Sequence, residues 1–192
     1  MQQMDQVTEI LILILGMVFS TLLLRRRERN RFSTFMLWVI FLIYLCGNLY
    51  FTLFSRTVGS IARIEQELLS NYKKALAFDG GFIETFYQLL TEGLPALERI
   101  RIQSMTSARE IILNILLYIP MGYMLPLLFE AWKAKKVIRT GFLASLLTES
   151  IQLMFRLGEF SFSDLLNNTL GTIIGFGGYL LVFRVIWKMK QE

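Results

Sequence analysis

The chain has 192 residues, of which 54% are hydrophobic and 18% are charged, and its formal net charge is +5. Because soluble domains carry about 25% charged residues and the apolar residues here come in long blocks, the composition favours an integral membrane protein. With no histidine and a single cysteine, the sequence excludes an intramolecular disulfide, His-dependent triads, HExxH zinc sites and haem ligation by histidine.

The first two apolar blocks predict two transmembrane helices, at residues 8–24 and 34–55. The first is just long enough, since about 17 residues can span a bilayer, and its acidic leading residues argue against a cleaved signal peptide. Between the two lies RRRERNR at 25–31, with five arginines against one glutamate. Such a patch could bind nucleic acid, but between two spans it indicates a cytoplasmic topology anchor, so no nucleic-acid partner is predicted.

Three polar residues recur on one face at the end of the second span. Asn48, Thr52 and Arg56 stand at i, i+4 and i+8. We interpret them as local capping and snorkelling at the membrane interface, in preference to a role in a site.

The longest segment between spans, residues 57–108, predicts helices that lie on the membrane surface and no separate domain. Residues 61–78 have an amphipathic pattern that ends at Asp79-Gly80-Gly81. Residues 82–100 form a second amphipathic stretch, broken at Gly93-Leu94-Pro95. The aromatic residues Phe82, Phe86 and Tyr87 suit an interfacial position.

Three further spans are predicted at 109–129, 137–155 and 165–187. Pro120 and Gly122 lie in the middle of the third span and Pro126 near its end, where each proline removes one ladder hydrogen bond. The basic loops alternate with neutral or acidic ones, which places the N-terminus outside and the C-terminus in the cytoplasm. The sequence thus predicts a single all-α, multi-pass domain of the cell membrane over residues 1–192, with about five transmembrane helices and additional interfacial helices.

With this topology, polar residues from three spans fall at a similar depth in the outer half of the membrane. Helical spacing places Glu149, Gln152 and Arg156 on one face of the fourth span, and Asp164 and Asn168 on one face of the fifth. The third span adds its own polar residue, Asn114. We expect these six residues to line an outward-facing ligand-binding pocket.

Below Asn168 the same face carries Gly171 and Gly175, the GxxxG spacing that allows two helix backbones to approach closely. A structural interpretation of the polar residues stays open: Asp164 could be the N-cap of the fifth span, with Ser163 as the alternative, and the amides could simply join helices. Glu149 favours a functional site, because amides alone can join helices without a buried acid.

These residues resemble the VanZ-like family, which is named for a teicoplanin-resistance membrane protein. The matching pattern is an Asn followed by Pro and Gly, then Glu-x-x-Gln, then an Asp ahead of Asn-Thr-x-Gly and a further Gly. It covers about residues 109–178, and the earlier spans agree only in general layout. The pattern departs from many members in the turn, where Glu159 and Ser161 stand in place of an Arg and an earlier Asp. The positions that carry the resemblance are Asn114, Pro120, Gly122, Glu149, Gln152, Asp164, Asn168, Thr169, Gly171 and Gly175.

The resemblance implies an envelope protein of Gram-positive bacteria that lowers sensitivity to teicoplanin-type lipoglycopeptides. The predicted pocket adds the hypothesis that such a protein acts by binding the polar head of an envelope lipid, a cell-wall precursor or the drug. One alternative is an intramembrane enzyme acting on a lipid-linked substrate, with Glu149 as general base and Asp164 as acid or Mg²⁺ ligand. Another is a helical scaffold for a second envelope protein that uses the GxxxG face. No cofactor and no structural metal are predicted, and the sequence leaves the oligomeric state open.

Overall fold

The computed structural model describes residues 12, 15–17, 19–20, 31–54, 64, 70–76, 81–158 and 160–188. Most of these residues are helical, and a π-helix, Tyr50–Phe54, directly continues the α-helix that ends at Leu49. The only pairing of extended backbone among these residues is an isolated bridge between Ile64 and Phe160. The predicted all-α class is confirmed. Within the described part of the chain, we number six α-helices: α1 (Arg31–Leu49), α2 (Ser70–Ala75), α3 (Gly81–Glu92), α4 (Leu94–Leu128), α5 (Ala134–Met154) and α6 (Phe162–Lys188).

Three segments of the described chain are long and apolar enough to cross a membrane: Arg31–Leu53, Leu94–Leu128 and Phe162–Val182. The predicted count of five spans is therefore not confirmed. Most of the first predicted span, 8–24, lies outside the described residues, although those described within it are helical. The fourth predicted span corresponds to α5, which is less apolar because its buried face carries serine, threonine, glutamate and glutamine side chains.

The third predicted span is part of a much longer helix. Helix α4 has 35 residues, a length of about 52 Å, whereas the hydrocarbon core of a bilayer is about 30 Å thick. Residues 94–108, predicted as part of the surface segment, form its first turns. The chain does break at Gly93, whose φ of 66° ends α3, but Pro95 stands in the first turn of α4, where proline favours helix initiation.

Helix α4 continues through both of its internal prolines, Pro120 and Pro126. Proline has no N–H, and its ring displaces carbonyl groups of the preceding turn. In the turn before Pro120, the carbonyl of Leu117 accepts a hydrogen bond of 3.0 Å from the Tyr44 hydroxyl of α1. A neighbouring helix thus bonds the backbone of α4 close to the proline.

Helices α4 and α6 pack with their backbones in direct contact. A Cβ atom at Gly171 would lie 2.1 Å from the carbonyl oxygen of Ile115, and one at Gly175 would lie 2.0 Å from that of Ile119. From the other side, a Cβ at Gly122 would lie 2.0 Å from the Thr172 carbonyl oxygen. The glycine face of α6 is therefore covered by α4 of the same chain, which leaves no room there for a helix of another protein.

The hydrophobic core lies mainly between α1 and α4. Leu37, Phe41 and Tyr44 of α1 contact the half of α4 from Leu117 onward, and Val137 adds the start of α5. At the end of α4, Phe129 and Trp132 stack with ring centroids 4.3 Å apart. This core holds α1, α4 and α5 together and so fixes the position of the polar residues on α5.

Candidate functional site

Helices α5 and α6 meet through small and polar side chains at three successive levels. A Cβ at Gly141 would lie 2.2 Å from the Thr172 hydroxyl oxygen, so the two helices nearly touch at this level. One turn further along α5, the Asn168 amide nitrogen donates a hydrogen bond of 2.9 Å to the Ser145 hydroxyl oxygen. At the third level, Glu149 bonds the backbone N–H of Ser161 at the start of α6. The i, i+4, i+8 spacing on α5 therefore aligns three contacts with an antiparallel neighbour.

Glu149 is 2% exposed and binds the beginning of α6. Its Oε2 accepts a hydrogen bond of 2.8 Å from the backbone N–H of Ser161. Ser161 in turn is the N-cap of α6, because its hydroxyl oxygen accepts the backbone N–H of Asp164 at 3.0 Å. The expectation that Asp164 or Ser163 caps this helix is thus wrong: the helix begins at Phe162, and Asp164 occupies the third position of a capping box.

Arg156 does not share the helical face of Glu149 and Gln152, although its spacing predicts this. Helix α5 ends at Met154, and Arg156 is exposed with a left-handed φ of 54°. The backbone N–H of Arg156 donates to the Leu153 carbonyl, and the backbone N–H of Leu157 donates to the Gln152 carbonyl. These two hydrogen bonds form a Schellman motif. An arginine at a position that favours glycine costs about 1 kcal/mol of strain, and its side chain lies outside the buried cluster.

Gln152 connects α5 to the end of α1. It is 1% exposed, and its Nε2 donates a hydrogen bond of 2.9 Å to the carbonyl oxygen of Thr52 in the π-helix. The Thr52 hydroxyl bonds the Asn48 carbonyl at 2.8 Å, and the Asn48 amide donates to the Tyr44 hydroxyl at 3.2 Å. A chain of buried hydrogen bonds therefore runs from α5 through α1 to the Leu117 carbonyl of α4.

The interpretation of Asn48 and Thr52 as residues at the membrane interface is wrong. They are 5% and 7% exposed. Thr52 contacts α5 through Gln152, Asn48 bonds Tyr44, and both belong to the buried polar network of the protein. The third residue of that pattern, Arg56, lies outside the described residues. The π-helix itself is notable, since such segments are rare and frequently occur at functional sites.

The short helix α2 covers the beginning of α6. The Tyr72 hydroxyl donates a hydrogen bond to Oδ1 of Asn167, and the Ser104 hydroxyl of α4 bonds the Ala75 carbonyl at the end of α2. Burial, and then the negative charge of Asp164, raises the pKa of the Tyr72 hydroxyl above its ordinary value. Tyr72 therefore stays protonated at neutral pH and acts as a donor to the site.

Within the described part of this region, three buried amide atoms have no hydrogen-bond partner. They are Oε1 of Gln152, Nδ2 of Asn167 and Oδ1 of Asn168, on side chains that are 1%, 0% and 3% exposed. Burying an amide group without a partner costs about 1–3 kcal/mol by mutational measurements, and nearly all buried polar groups in proteins have partners. Two acceptors and one donor are thus available to a molecule that enters the site.

The structure brings together four of the six predicted pocket residues: Glu149, Gln152, Asp164 and Asn168, all of them buried. Asn114 is half-buried on α4, one turn before Tyr118, and takes no part in the hydrogen bonds described above.

We define the polar cluster as the buried residues that connect α1, α5 and the start of α6. Its members are Asn48, Thr52, Ser145, Glu149, Gln152, Ser161, Asp164, Asn167 and Asn168.

Several residues of the site were missed by reasoning from sequence. Ser161 had a signal, since Ser161-x-x-Asp164 before an apolar run is the capping-box pattern. Tyr118, which lies beside Ser145, Thr148 and Glu149, resembles any aromatic core residue in the sequence. Tyr72 lies 95 positions from the asparagine that it bonds, and no local pattern predicts such a contact.

Comparison with known proteins gives one match. The family model described as VanZ/LLP1 matches residues 41–184, which include the second half of α1, the segment before α4 and nearly all of the motif-bearing helices. This range is broader than the one over which the sequence motifs resemble the family. No curated protein and no solved structure matches the chain. The polar cluster lies wholly within the matched range.

Proposed function

The chain belongs to the VanZ/LLP1 family, and from that premise we propose a multi-pass protein of the cell membrane that lowers sensitivity to teicoplanin-type lipoglycopeptides in Gram-positive bacteria. In this proposal the N-terminus is outside and the C-terminus is cytoplasmic, as the distribution of basic residues suggests. The polar cluster then faces the outer leaflet, where envelope lipids, cell-wall precursors and the drug itself are present.

The protein acts by binding the polar head of one of these molecules in the polar cluster. The observation that carries the proposal is the set of unpartnered atoms on Gln152, Asn167 and Asn168. Amides that only join helices would pair with each other and leave no such atoms. A head group that donates to the two oxygens and accepts from the nitrogen would supply the missing hydrogen bonds.

The charge of the cluster indicates which head groups fit. Glu149 and Asp164 are buried there, and among the described residues no lysine or arginine is buried. A bare phosphate would bring a further negative charge next to two carboxyl groups, with no buried cation to stabilise it. Hydroxyl, amide and amine groups, such as those of sugars and peptides, are favoured because they can donate hydrogen bonds to the free oxygens.

The susceptibility of a Gram-positive host that expresses the protein tests this proposal. We expect Gln152→Leu and Asn168→Leu each to abolish protection against teicoplanin, because leucine has a similar size but neither accepts nor donates a hydrogen bond. Each substitution leaves one buried protein group, the Thr52 carbonyl or the Ser145 hydroxyl, without its amide donor, but it also removes an amide oxygen that is itself without a partner. Because the two effects oppose each other, we expect a net loss of about 1 kcal/mol and a membrane abundance near that of the parent.

Ser150→Ala is the matched control for these variants. Ser150 is exposed on α5 between the two buried positions Glu149 and Gln152, and its hydroxyl bonds only the Leu146 carbonyl of its own helix. Protection by Ser150→Ala should equal that by the parent. Full protection by both leucine variants at equal abundance would exclude a binding role for the cluster.

A further inference from the structure

A second feature, an apolar cavity of about 540 Å³, lies between the helical residues described near the N-terminus, α1 and α4. Leu15, Phe19, Ile43 and Met124 contribute to its walls. Two glycines, Gly16 and Gly47, line it as well. A Cβ at Gly16 would lie 3.3 Å from Cγ2 of Ile40, whereas the space beside Gly47 is open. The hydrogen bonds described above do not use this space, and its walls offer an apolar molecule a continuous surface.

We propose that this cavity holds an alkyl chain of a membrane lipid, which rests on the proposed binding of a polar head in the polar cluster. Most of the residues that line the cavity carry aliphatic or aromatic side chains, and burial of hydrocarbon against them is favourable. Segments Arg31–Leu53 and Leu94–Leu128, which supply most of the lining, are both apolar enough to lie in a membrane, where the abundant apolar molecules are lipid chains.

The cavity borders the polar cluster at one end. Tyr44 and Asn48 line it, and they are also the last members of the hydrogen-bond chain that starts at Gln152. One turn of helix separates Asn48 from Thr52, whose carbonyl binds Gln152. A lipid with its chain between α1 and α4 can therefore place its head beside the unpartnered oxygen of Gln152. The ligand class is thus an amphiphile with at least one long alkyl chain.

Gly47 gives a clean way to test the cavity. A Cβ added at Gly47 would meet no atom within 4 Å, and Gly47 lines the cavity, so the start of a larger side chain fits there without displacing a neighbouring atom. Gly47→Leu should fill part of the space that the alkyl chain occupies, and Gly47→Ala should have a smaller effect of the same kind.

The experiment uses the full chain in phosphatidylcholine vesicles that contain a small fraction of a glucosyl diacylglycerol with a photoactivatable diazirine on one acyl chain, because the sugar hydroxyls of this probe can donate hydrogen bonds to the unpartnered oxygens. After illumination, mass spectrometry maps the labelled residues. We expect labelling of cavity residues such as Leu15 and Met124 to exceed that of Ile173 and Ile174, which are exposed on α6. Gly47→Leu should reduce this ratio about tenfold, since excluding two methylene groups from an apolar site weakens binding by about that factor.

Gly177→Leu is the matched control, because Gly177 also stands in a membrane helix with no atom within 4 Å of an added Cβ but does not line the cavity. Its labelling ratio should equal that of the parent. Cavity residues labelled no more than Ile173 and Ile174, or a ratio unchanged by Gly47→Leu, would overturn the proposal. Because labelling is read without the antibiotic, failure here is distinguishable from failure of the susceptibility test on Gln152 and Asn168.

Discussion

Replacement of Gly175 by alanine is expected to destabilise the protein by about 3 kcal/mol, at the upper end of the range for overpacking. The added Cβ would lie 2.0 Å from the Ile119 carbonyl oxygen and 2.9 Å from the Tyr123 backbone nitrogen. Both are backbone atoms within α4, so no side-chain rotation can relieve the clash. The two helices must separate along their whole contact, which would also displace Asn168 from Ser145.

Thermal unfolding of the detergent-solubilised protein measures this effect, with Gly177→Ala as its control. Position 177 has no atom within 4 Å of an added Cβ, and alanine stabilises an open helical position by up to about 1 kcal/mol relative to glycine. Gly175→Ala should therefore unfold at a much lower temperature than the parent, and Gly177→Ala at the same temperature or slightly higher. Equal unfolding temperatures for the two variants would contradict the backbone packing of α4 on α6.

Glu149→Ala is expected to abolish protection against teicoplanin and also to lower stability. Alanine leaves the buried N–H of Ser161 without its acceptor, a loss of about 1–3 kcal/mol. Because Ser161 is the N-cap of α6, the first turn of that helix should loosen, and Asp164 and Asn168 stand in its first two turns. The polar cluster then loses both a carboxylate and the support of its α6 wall. Susceptibility, membrane abundance and the unfolding temperature are measured together.

Glu149→Gln separates the charge of this side chain from its shape. The amide oxygen can still accept the Ser161 N–H, but a hydrogen bond between neutral groups is about half as strong as one to a carboxylate. We expect this variant to recover most of the stability that Glu149→Ala loses. If it also recovers protection, the side chain serves to position α6; if protection stays lost, the carboxyl group itself acts on the ligand. Wild-type stability of Glu149→Ala would show that the bond to Ser161 has no structural role.

Local spacing was sufficient to predict the parts of the site that lie on regular helix. Glu149 and Gln152 share a face of α5, Asp164 and Asn168 share a face of α6, and a short turn makes the two helices antiparallel neighbours. The glycines at 171 and 175 likewise indicate a close helix contact from their spacing alone. These predictions need only the helical period and the order of the segments along the chain.

The remaining features depend on where a helix ends and on contacts between distant segments. The prediction that Arg156 shares the face of Glu149 is wrong because α5 ends two residues before Arg156. The helix ends in a Schellman motif that has arginine at the left-handed position where glycine is the usual signal. Thr52 joins the site only because it meets Gln152, 100 positions away. The start of α4 was misplaced because the apolar stretch that identifies a span begins well after the first residues of the helix. Periodicity carries no information on any of these three points.

An experimental structure of the protein in a native-lipid bilayer most directly tests whether the polar cluster holds a ligand. We expect non-protein density whose polar atoms lie about 2.7–3.2 Å from Oε1 of Gln152 and Oδ1 of Asn168, the distance range of ordinary hydrogen bonds. The proposal is contradicted if both oxygens accept hydrogen bonds from protein groups, or if water molecules alone occupy the space beside them.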